Sequence, residues 1–177
     1  QISRKEPLAD MARVLERYID AIVVRTYGQE EVEELARYAS IPVVNALTDH
    51  SHPCQVLADL MTILEKRGSF EDLTVAWIGD GNNVANSWIY AAARLGFTLT
   101  LACPAGYEPD PDVLAWAEAQ GKGRVLLIPD ALKAVAGAEV IYTDVWASMG
   151  QEAEAQSRQE AFKNYQVNSE LVAAAPS

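Results

Sequence analysis

The chain has 177 residues, half of them hydrophobic, and is long enough to bury at least one substantial core. A formal net charge of -11 argues against a nucleic-acid-binding protein, because such proteins neutralise phosphates with a basic surface. No apolar run approaches the ~18 residues that a membrane span needs, and two cysteines make no disulfide framework, so we expect a cytoplasmic protein that does not enter the membrane.

The first part of the chain alternates between helical and strand-like patterns. Apolar spacing predicts helices, short apolar runs predict strands, and Pro53 and Gly68 mark the start and stop of a longer helix. The predicted elements are a helix over 7–18, a strand over 21–24, a helix over 29–40, a strand over 41–47 and a helix over 53–67.

A second alternating series follows Gly68. Its predicted strands cover 73–78, 98–103, 124–128 and 139–144, and its predicted helices cover 84–96, 111–120, 130–138, 154–163 and 168–174. Alternation of this kind predicts parallel sheets with helices on both faces. The fold class is therefore α/β, with two parallel-sheet, Rossmann-like domains joined by a helix.

The two domains are unequal in this prediction. Two strands leave most of their apolar surface uncovered, so we expect the N-terminal domain to be incomplete and further sequence to precede Gln1. The sequence ends at "AAAPS" where another strand would be expected, so we also expect sequence after Ser177. The predicted division is an N-terminal domain over 1–50, an inter-domain helix over 51–68 and a second domain over 69–177, the last without its C-terminal part.

Polar residues follow four of the predicted strands. They are Arg25, "TDHSHP" (48–53), "GDGNN" (79–83) and "VWASMGQ" (145–151). Ligands of open parallel sheets bind outside the carboxyl ends of the strands, so these segments predict one shared cleft.

The "GDGNN" segment partly resembles a dinucleotide-binding fingerprint. Gly79 and Gly81 fit, but Val84 occupies the third glycine position and the next strand ends without an acidic residue. A nicotinamide-dependent oxidoreductase is therefore a less favoured alternative, and no cofactor is expected. A tight turn that presents Asn82 and Asn83 is the simpler interpretation.

Both histidines of the chain lie near Cys54 in "DHSHPCQ". A zinc site needs three or four converging ligands, and alternating positions at a helix start do not converge, so we expect no metal. His52 instead occupies the predicted N-cap and Gln55 the third helical position. Both lie beside free backbone N–H groups suited to an anion or a polarised carbonyl, although a plain capping box is the alternative.

"HPCQ" at a helix start resembles the H-P-x-Q motif of the aspartate/ornithine carbamoyltransferase family, and "DAIVVRTY" resembles the family segment that carries a substrate-binding arginine. The resemblance implies that His52, Gln55 and Arg25 are catalytic and bind carbamoyl phosphate. "GDGNN" and "DVWASMG" are similar to the second-substrate motifs of the ornithine-specific members. The residues thereby implied to bind ornithine are Asn83, Asp144, Ser148 and Met149.

The resemblance implies that the enzyme transfers the carbamoyl group of carbamoyl phosphate to the δ-amine of L-ornithine, giving citrulline and phosphate without metal or cofactor. It also implies a role in arginine biosynthesis and a homotrimer or a higher multiple of it. Two family motifs, S-x-R-T-R and H-C-L-P, are expected before Gln1 and after Ser177. A family-like fragment that acts only as a binding or interaction module is the other alternative.

Overall fold

The computed structural model describes residues 6–147 and 154–176. A two-stranded parallel sheet lies near the start, formed by β1 (Ile22–Arg25) and β2 (Val43–Leu47), with α1 (Leu8–Leu15) and α2 (Gln29–Tyr38) packed on it. Its small core consists of Ala12, Ile22, Val24, Val32 and Leu35. This unit supplies two strand ends, those of β1 and β2, to the cleft described below.

A four-stranded parallel sheet forms the larger unit, in the order β5-β4-β3-β6. Its strands are β3 (Thr74–Ile78), β4 (Thr98–Ala102), β5 (Arg124–Leu127) and β6 (Val140–Tyr142). The helices of this part of the chain are α4 (Asn83–Leu95), α5 (Pro111–Gln120), α6 (Ala131–Val135), α7 (Ala155–Phe162) and α8 (Ser169–Ala173), with a short 3-10 helix at Lys163–Tyr165.

Helices cover both faces of this sheet. Successive side chains of a strand point to opposite faces, so each strand contributes to two cores. Val75 and Trp77 of β3 join a core shared with α4 and α5, whereas Ala76 and Ile78 join a core shared with α6 and α8. All four side chains are fully buried. The predicted α/β class with helices on both faces of a parallel sheet is therefore confirmed.

Helix α3 (Pro53–Arg67) connects the two sheets. Pro53 occupies its first turn, and Gly68 ends it in the left-handed conformation with φ 84°, which glycine adopts without steric cost. Its buried residues Val56 and Leu60 belong to the core around α4. The start of α3 thus lies against the larger unit and follows directly from the end of β2.

The predicted elements agree with the structure to within three residues at either end, and the differences include the ends of α1 and β1. Helix α1 ends at Leu15 rather than near Tyr18, because Arg17 and Tyr18 donate to carbonyls only three residues back and tighten the chain into a turn. Arg25 is the last residue of β1 rather than the residue after it. None of the helices within 6–147 and 154–176 is long and apolar enough to cross a membrane.

Candidate active site

A cleft of about 750 Å³ opens where the carboxyl ends of β1, β2, β3 and β6 approach one another. Five of the residues singled out in the sequence line it: Arg25, His52, Gln55, Asn83 and Asp144. Ser148 and Met149 lie outside the described residues. The prediction that the polar loops share one cleft is confirmed for the loops after β1, β2, β3 and β6 in the described part of the chain.

His52 is the N-cap residue of α3, as expected from its place before Pro53, but its side chain makes no capping hydrogen bond. The ring atom Nδ1 is buried and has no hydrogen-bond partner among the described residues. Burial lowers the pKa of His52, and the positive charge of Arg25 lowers it further. A neutral imidazole is therefore favoured, with its ring free to donate to or accept from a molecule in the cleft.

Gln55 lies in the first turn of α3 and is exposed to the cleft. The capping-box alternative was wrong, because the Gln55 amide reaches forward along the helix: Nε2 donates to Asp59 Oδ1 over 3.1 Å. A carboxylate only accepts hydrogen bonds, so this contact fixes which end of the amide is the nitrogen. Oε1 of Gln55 is left to accept a hydrogen bond from an N–H group in the cleft.

Arg25 enters the cleft from the end of β1. The pairing of β1 with β2 shifts register between Val24 and Arg25, so Arg25 pairs with Leu47 rather than with Ala46. Within residues 6–147 and 154–176, its guanidinium forms no ion pair. Its five donors are therefore available to an anionic ligand.

The turn between β3 and α4 presents a pair of asparagines with different roles. Asn82 is the N-cap, and its side-chain oxygen accepts from the backbone N–H groups of Val84 and Ala85 over 3.0 and 3.1 Å. Asn83 donates from Nδ2 to the backbone oxygen of Thr48 over 2.7 Å. One amide hydrogen and the Oδ1 lone pairs of Asn83 remain for a ligand.

Asp144 follows β6 and is held in place by two hydrogen bonds. Asn82 Nδ2 donates to its Oδ2 over 3.0 Å, and the backbone N–H of Val145 donates to its Oδ1 over 2.7 Å. Each carboxylate oxygen has two lone pairs, so Asp144 retains capacity for a cationic group. The bond from the Val145 N–H, which caps the turn after β6, therefore leaves Asp144 able to bind a ligand as well.

Sequence reasoning missed an ion pair at the cleft wall. Arg158 of α7 and Asp80 of the β3–α4 turn lie 2.6 Å apart, with side chains only 8% and 12% exposed. Arg158 also donates to the backbone oxygen of Trp146 over 3.1 Å and lies over the Tyr107 ring. No local pattern could have found this pair, because its members are 78 residues apart.

Tyr142 of β6 contributes both to packing and to the cleft. It stacks on Trp77 with ring centroids 5.3 Å apart, but it also lines the cleft. Burial raises its pKa, and the nearby carboxylate of Asp59 raises it further. Tyr142 is therefore a protonated hydroxyl at neutral pH.

Among the described residues, no group of three or more His, Cys, Asp or Glu side chains converges on a point that could hold a metal ion. Cys54, which lies close to both histidines in the sequence, donates from Sγ to the backbone oxygen of Asn45 over 3.3 Å. His50 contacts the Tyr90 hydroxyl over 2.9 Å. Cys54 and His50 therefore make hydrogen-bond contacts with different parts of the protein and do not converge on one point.

Two family models match the chain. The carbamoyl-P binding domain of aspartate/ornithine carbamoyltransferase matches residues 1–65, and the Asp/Orn binding domain matches residues 71–177. Among curated relatives, ornithine carbamoyltransferase of Desulfotalea psychrophila is 60% identical over 99% of this chain and 58% of its own length. That of Pyrococcus abyssi is 55% identical over 97% of this chain and 55% of its own length.

Solved structures agree with the family models. Ornithine carbamoyltransferase from Pyrococcus furiosus superposes with a TM-score of 0.91 at 53% identity, covering 99% of this chain and 57% of that one. The anabolic enzyme from Campylobacter jejuni gives a TM-score of 0.92 at 36% identity, covering 100% of this chain and 60% of that one. This chain spans less than two thirds of the length of these relatives. It belongs to the aspartate/ornithine carbamoyltransferase family.

Proposed function

We propose that the protein transfers the carbamoyl group of carbamoyl phosphate to the δ-amine of L-ornithine, giving citrulline and phosphate. The observation that carries the proposal is the single cleft lined by Arg25, His52, Gln55, Asn83 and Asp144. The printed names of the relatives, ornithine carbamoyltransferase, support ornithine as the acceptor.

The carbamoyl phosphate side of the cleft consists of Arg25, His52 and Gln55 in this proposal. Arg25, which has no ion-pair partner within 6–147 and 154–176, meets the phosphate and the carbonyl oxygen. His52 donates to the same carbonyl oxygen as negative charge develops on it. Gln55, oriented by Asp59, accepts from the carbamoyl NH₂ group and so fixes the direction of attack.

The ornithine side consists of Asn83 and Asp144, together with Ser148 and Met149. Asp144 binds the α-ammonium group through the lone pairs that its two internal hydrogen bonds leave free. Asn83 and the segment with Ser148 and Met149 hold the amino-acid head. This arrangement directs the δ-amine towards the start of α3, where His52 and Gln55 lie.

The reaction requires no metal or cofactor. The lone pair of the neutral δ-amine forms a C–N bond to the carbamoyl carbon, and the C–O bond to phosphate breaks. The new ammonium group loses a proton, and phosphate leaves with the electron pair of the broken bond. A neutral His52 suits this step, because a neutral imidazole still carries one ring N–H that can donate to the carbonyl oxygen.

The same proposal extends to the organisation of the protein. Residues 1–50 contribute to carbamoyl phosphate binding, 51–68 form the joining helix, and 69–177 bind ornithine. We further propose a cytoplasmic homotrimer, or a higher multiple of it, that acts in arginine biosynthesis. Light scattering of the purified protein measures the oligomeric state directly, and a monomer would contradict the trimer.

Two substitutions test the proposed function. His52→Ala and Arg25→Ala remove an oxyanion donor and an anion-binding cation, so each lowers kcat for citrulline formation by about a hundredfold or more. Arg13→Ala is the matched control, because Arg13 is an exposed arginine of α1 that lies outside the cleft and pairs with the exposed Asp10. Wild-type rates in both cleft variants would refute the assignment.

A further inference from the structure

One face of α4 holds the loop between β2 and α3. Asn83 donates to the backbone oxygen of Thr48 over 2.7 Å, and Asn86 donates to that of His50 over 3.1 Å. Ser87 accepts from the backbone N–H of His52 over 2.7 Å. The positions 83, 86 and 87 follow helical spacing, so these three polar side chains lie on one face of a largely apolar helix.

Ser87 occupies a special position in this stripe. Its hydroxyl oxygen accepts from the His52 backbone N–H, and its hydroxyl hydrogen is donated to the backbone oxygen of Asn83 over 2.8 Å. Ser87 is only 5% exposed. One buried hydroxyl therefore connects the residue that begins α3 with the residue that begins α4.

We propose that Ser87 is a positioning residue that fixes His52 relative to Asn83, and thereby fixes the carbamoyl group relative to the attacking amine. This inference rests on the proposed function, which assigns the two residues to different substrates. Ser87 is not among the residues that line the cleft. It acts through the backbone of both site residues.

The Ser87 hydroxyl is needed as an acceptor because the His52 backbone N–H lies at the start of α3. The first N–H groups of a helix have no partner within the helix, and a buried one without an acceptor is costly. In Ser87→Ala the start of α3 must move to find another acceptor, which displaces the His52 ring. The bonds from Asn83 and Asn86 remain, so the loop and the fold are retained.

The experiment compares Ser87→Ala with Thr100→Val in the purified protein. Thr100 is 6% exposed, and its hydroxyl donates to the backbone oxygens of Val75 and Ala134 over 3.3 and 2.9 Å. Both variants remove one buried hydroxyl, but Thr100 does not line the cleft. The rate of citrulline formation is measured while the concentration of each substrate is varied. Calorimetry then measures the binding of norvaline, which is ornithine without its δ-amine, in the presence and in the absence of carbamoyl phosphate.

In Ser87→Ala we expect kcat/KM for ornithine to fall by roughly tenfold to a hundredfold, the effect of a misplacement near 1 Å. We also expect carbamoyl phosphate to raise norvaline affinity by about fivefold or more in the wild type and by less than twofold in Ser87→Ala. Thr100→Val should keep wild-type kinetics and coupling, although both variants lose thermal stability.

Three results would overturn the inference: unchanged kinetics and coupling in Ser87→Ala, an equal loss of both in Thr100→Val, or no coupling in the wild type. A wild-type protein that forms no citrulline is a different result, because it refutes the proposed function itself.

Discussion

At the scale of single residues, His52 is subject to opposing electrostatic effects. Burial and Arg25 lower its pKa below the ordinary value of 6.5, whereas Asp144 and Asp59 raise it. Because the folded-state pKa is the lower one, the unfolded chain binds the proton first as pH falls. The contribution of His52 to folding stability is therefore present above pH 6.5 and is lost as pH falls through the folded-state pKa.

The first prediction concerns this titration. Arg25→Met removes the nearby positive charge, so the pKa of His52 should rise towards its ordinary value, and Asp144→Asn should lower it further. Histidine NMR measures both, and this chain has only His50 and His52 to distinguish. A pKa that does not move in Arg25→Met would contradict the proximity of the two groups.

A second prediction concerns the orientation of Gln55. Asp59→Ala frees the Gln55 amide to rotate, so kcat/KM for carbamoyl phosphate should fall by about tenfold. Asp59→Asn should retain most of the activity, because its side-chain oxygen still accepts from Gln55 Nε2. Glu65→Ala, an exposed position on the same helix, is the control. Equal rates in Asp59→Ala and Glu65→Ala would contradict an orienting role.

Local motifs predicted the cleft residues well but not their partners. His52 and Gln55 were found from the helix start, since Pro53 marks it. Asp59 lies four residues after Gln55 on the same helix, so helical spacing could have identified it as a partner. Arg158 could not be found this way, because its pairing with Asp80 depends on how α7 packs against the β3–α4 turn.

At the scale of elements, the turn between β3 and α4 depends on a close approach of two backbones. A Cβ atom at Gly81 would lie 2.2 Å from Pro109 N and 2.4 Å from the carbonyl carbon of Glu108. Real Cβ atoms do not approach backbone so closely, so the turn or the facing loop would have to move. Asn82 and Asn83 follow Gly81 directly and would move with it.

The third prediction follows from this contact. Gly81→Ala should destabilise the protein by about 1–3 kcal/mol and weaken ornithine binding, because overpacking displaces the turn. Gly137→Ala is the matched control, since a Cβ there meets no atom within 4 Å. Chemical denaturation measures the first effect and the KM for ornithine the second. A Gly81→Ala variant as stable as Gly137→Ala would contradict the close approach.

Element types were predictable because apolar spacing and end signals agreed. Pro53 and Gly68 mark the ends of α3 as expected, and Asp110, Pro111 and Gly121 mark the ends of α5 in the same way. The end of α1 was missed because a tight turn continues the apolar spacing, although Arg17 and Tyr18 donate to carbonyls three residues back instead of four. The register shift at Arg25 also has no sequence signal, since it arises from pairing with β2.

At the scale of the whole molecule, the ion pair between Arg158 and Asp80 connects segments that are far apart in the sequence. Arg158 bonds Asp80, Glu154 and the backbone of Trp146, and so links α7 to the β3–α4 turn and to the segment after β6. Trp146 and Glu154 flank the positions of Ser148 and Met149 in the sequence. Arg158 therefore anchors both sides of that segment.

The fourth prediction is that Arg158→Met destabilises the protein by about 3 kcal/mol, because Asp80 is left nearly buried without its partner. The double variant Arg158→Met with Asp80→Asn should recover part of the loss, since no unpaired charge remains. Denaturant unfolding measures both variants. Two single losses that simply add in the double variant would contradict direct pairing.

The central claim concerns the acceptor amine. The most direct measurement is formation of ureido product by the purified protein, given carbamoyl phosphate with ornithine, aspartate or putrescine in turn. We predict turnover with ornithine alone, the acceptor of the proposed function. Asn83 and Asp144 lie in one cleft with His52 and can hold an amino-acid head, which putrescine lacks. Turnover with aspartate or putrescine instead would contradict the claim, and so would the absence of turnover with all three amines.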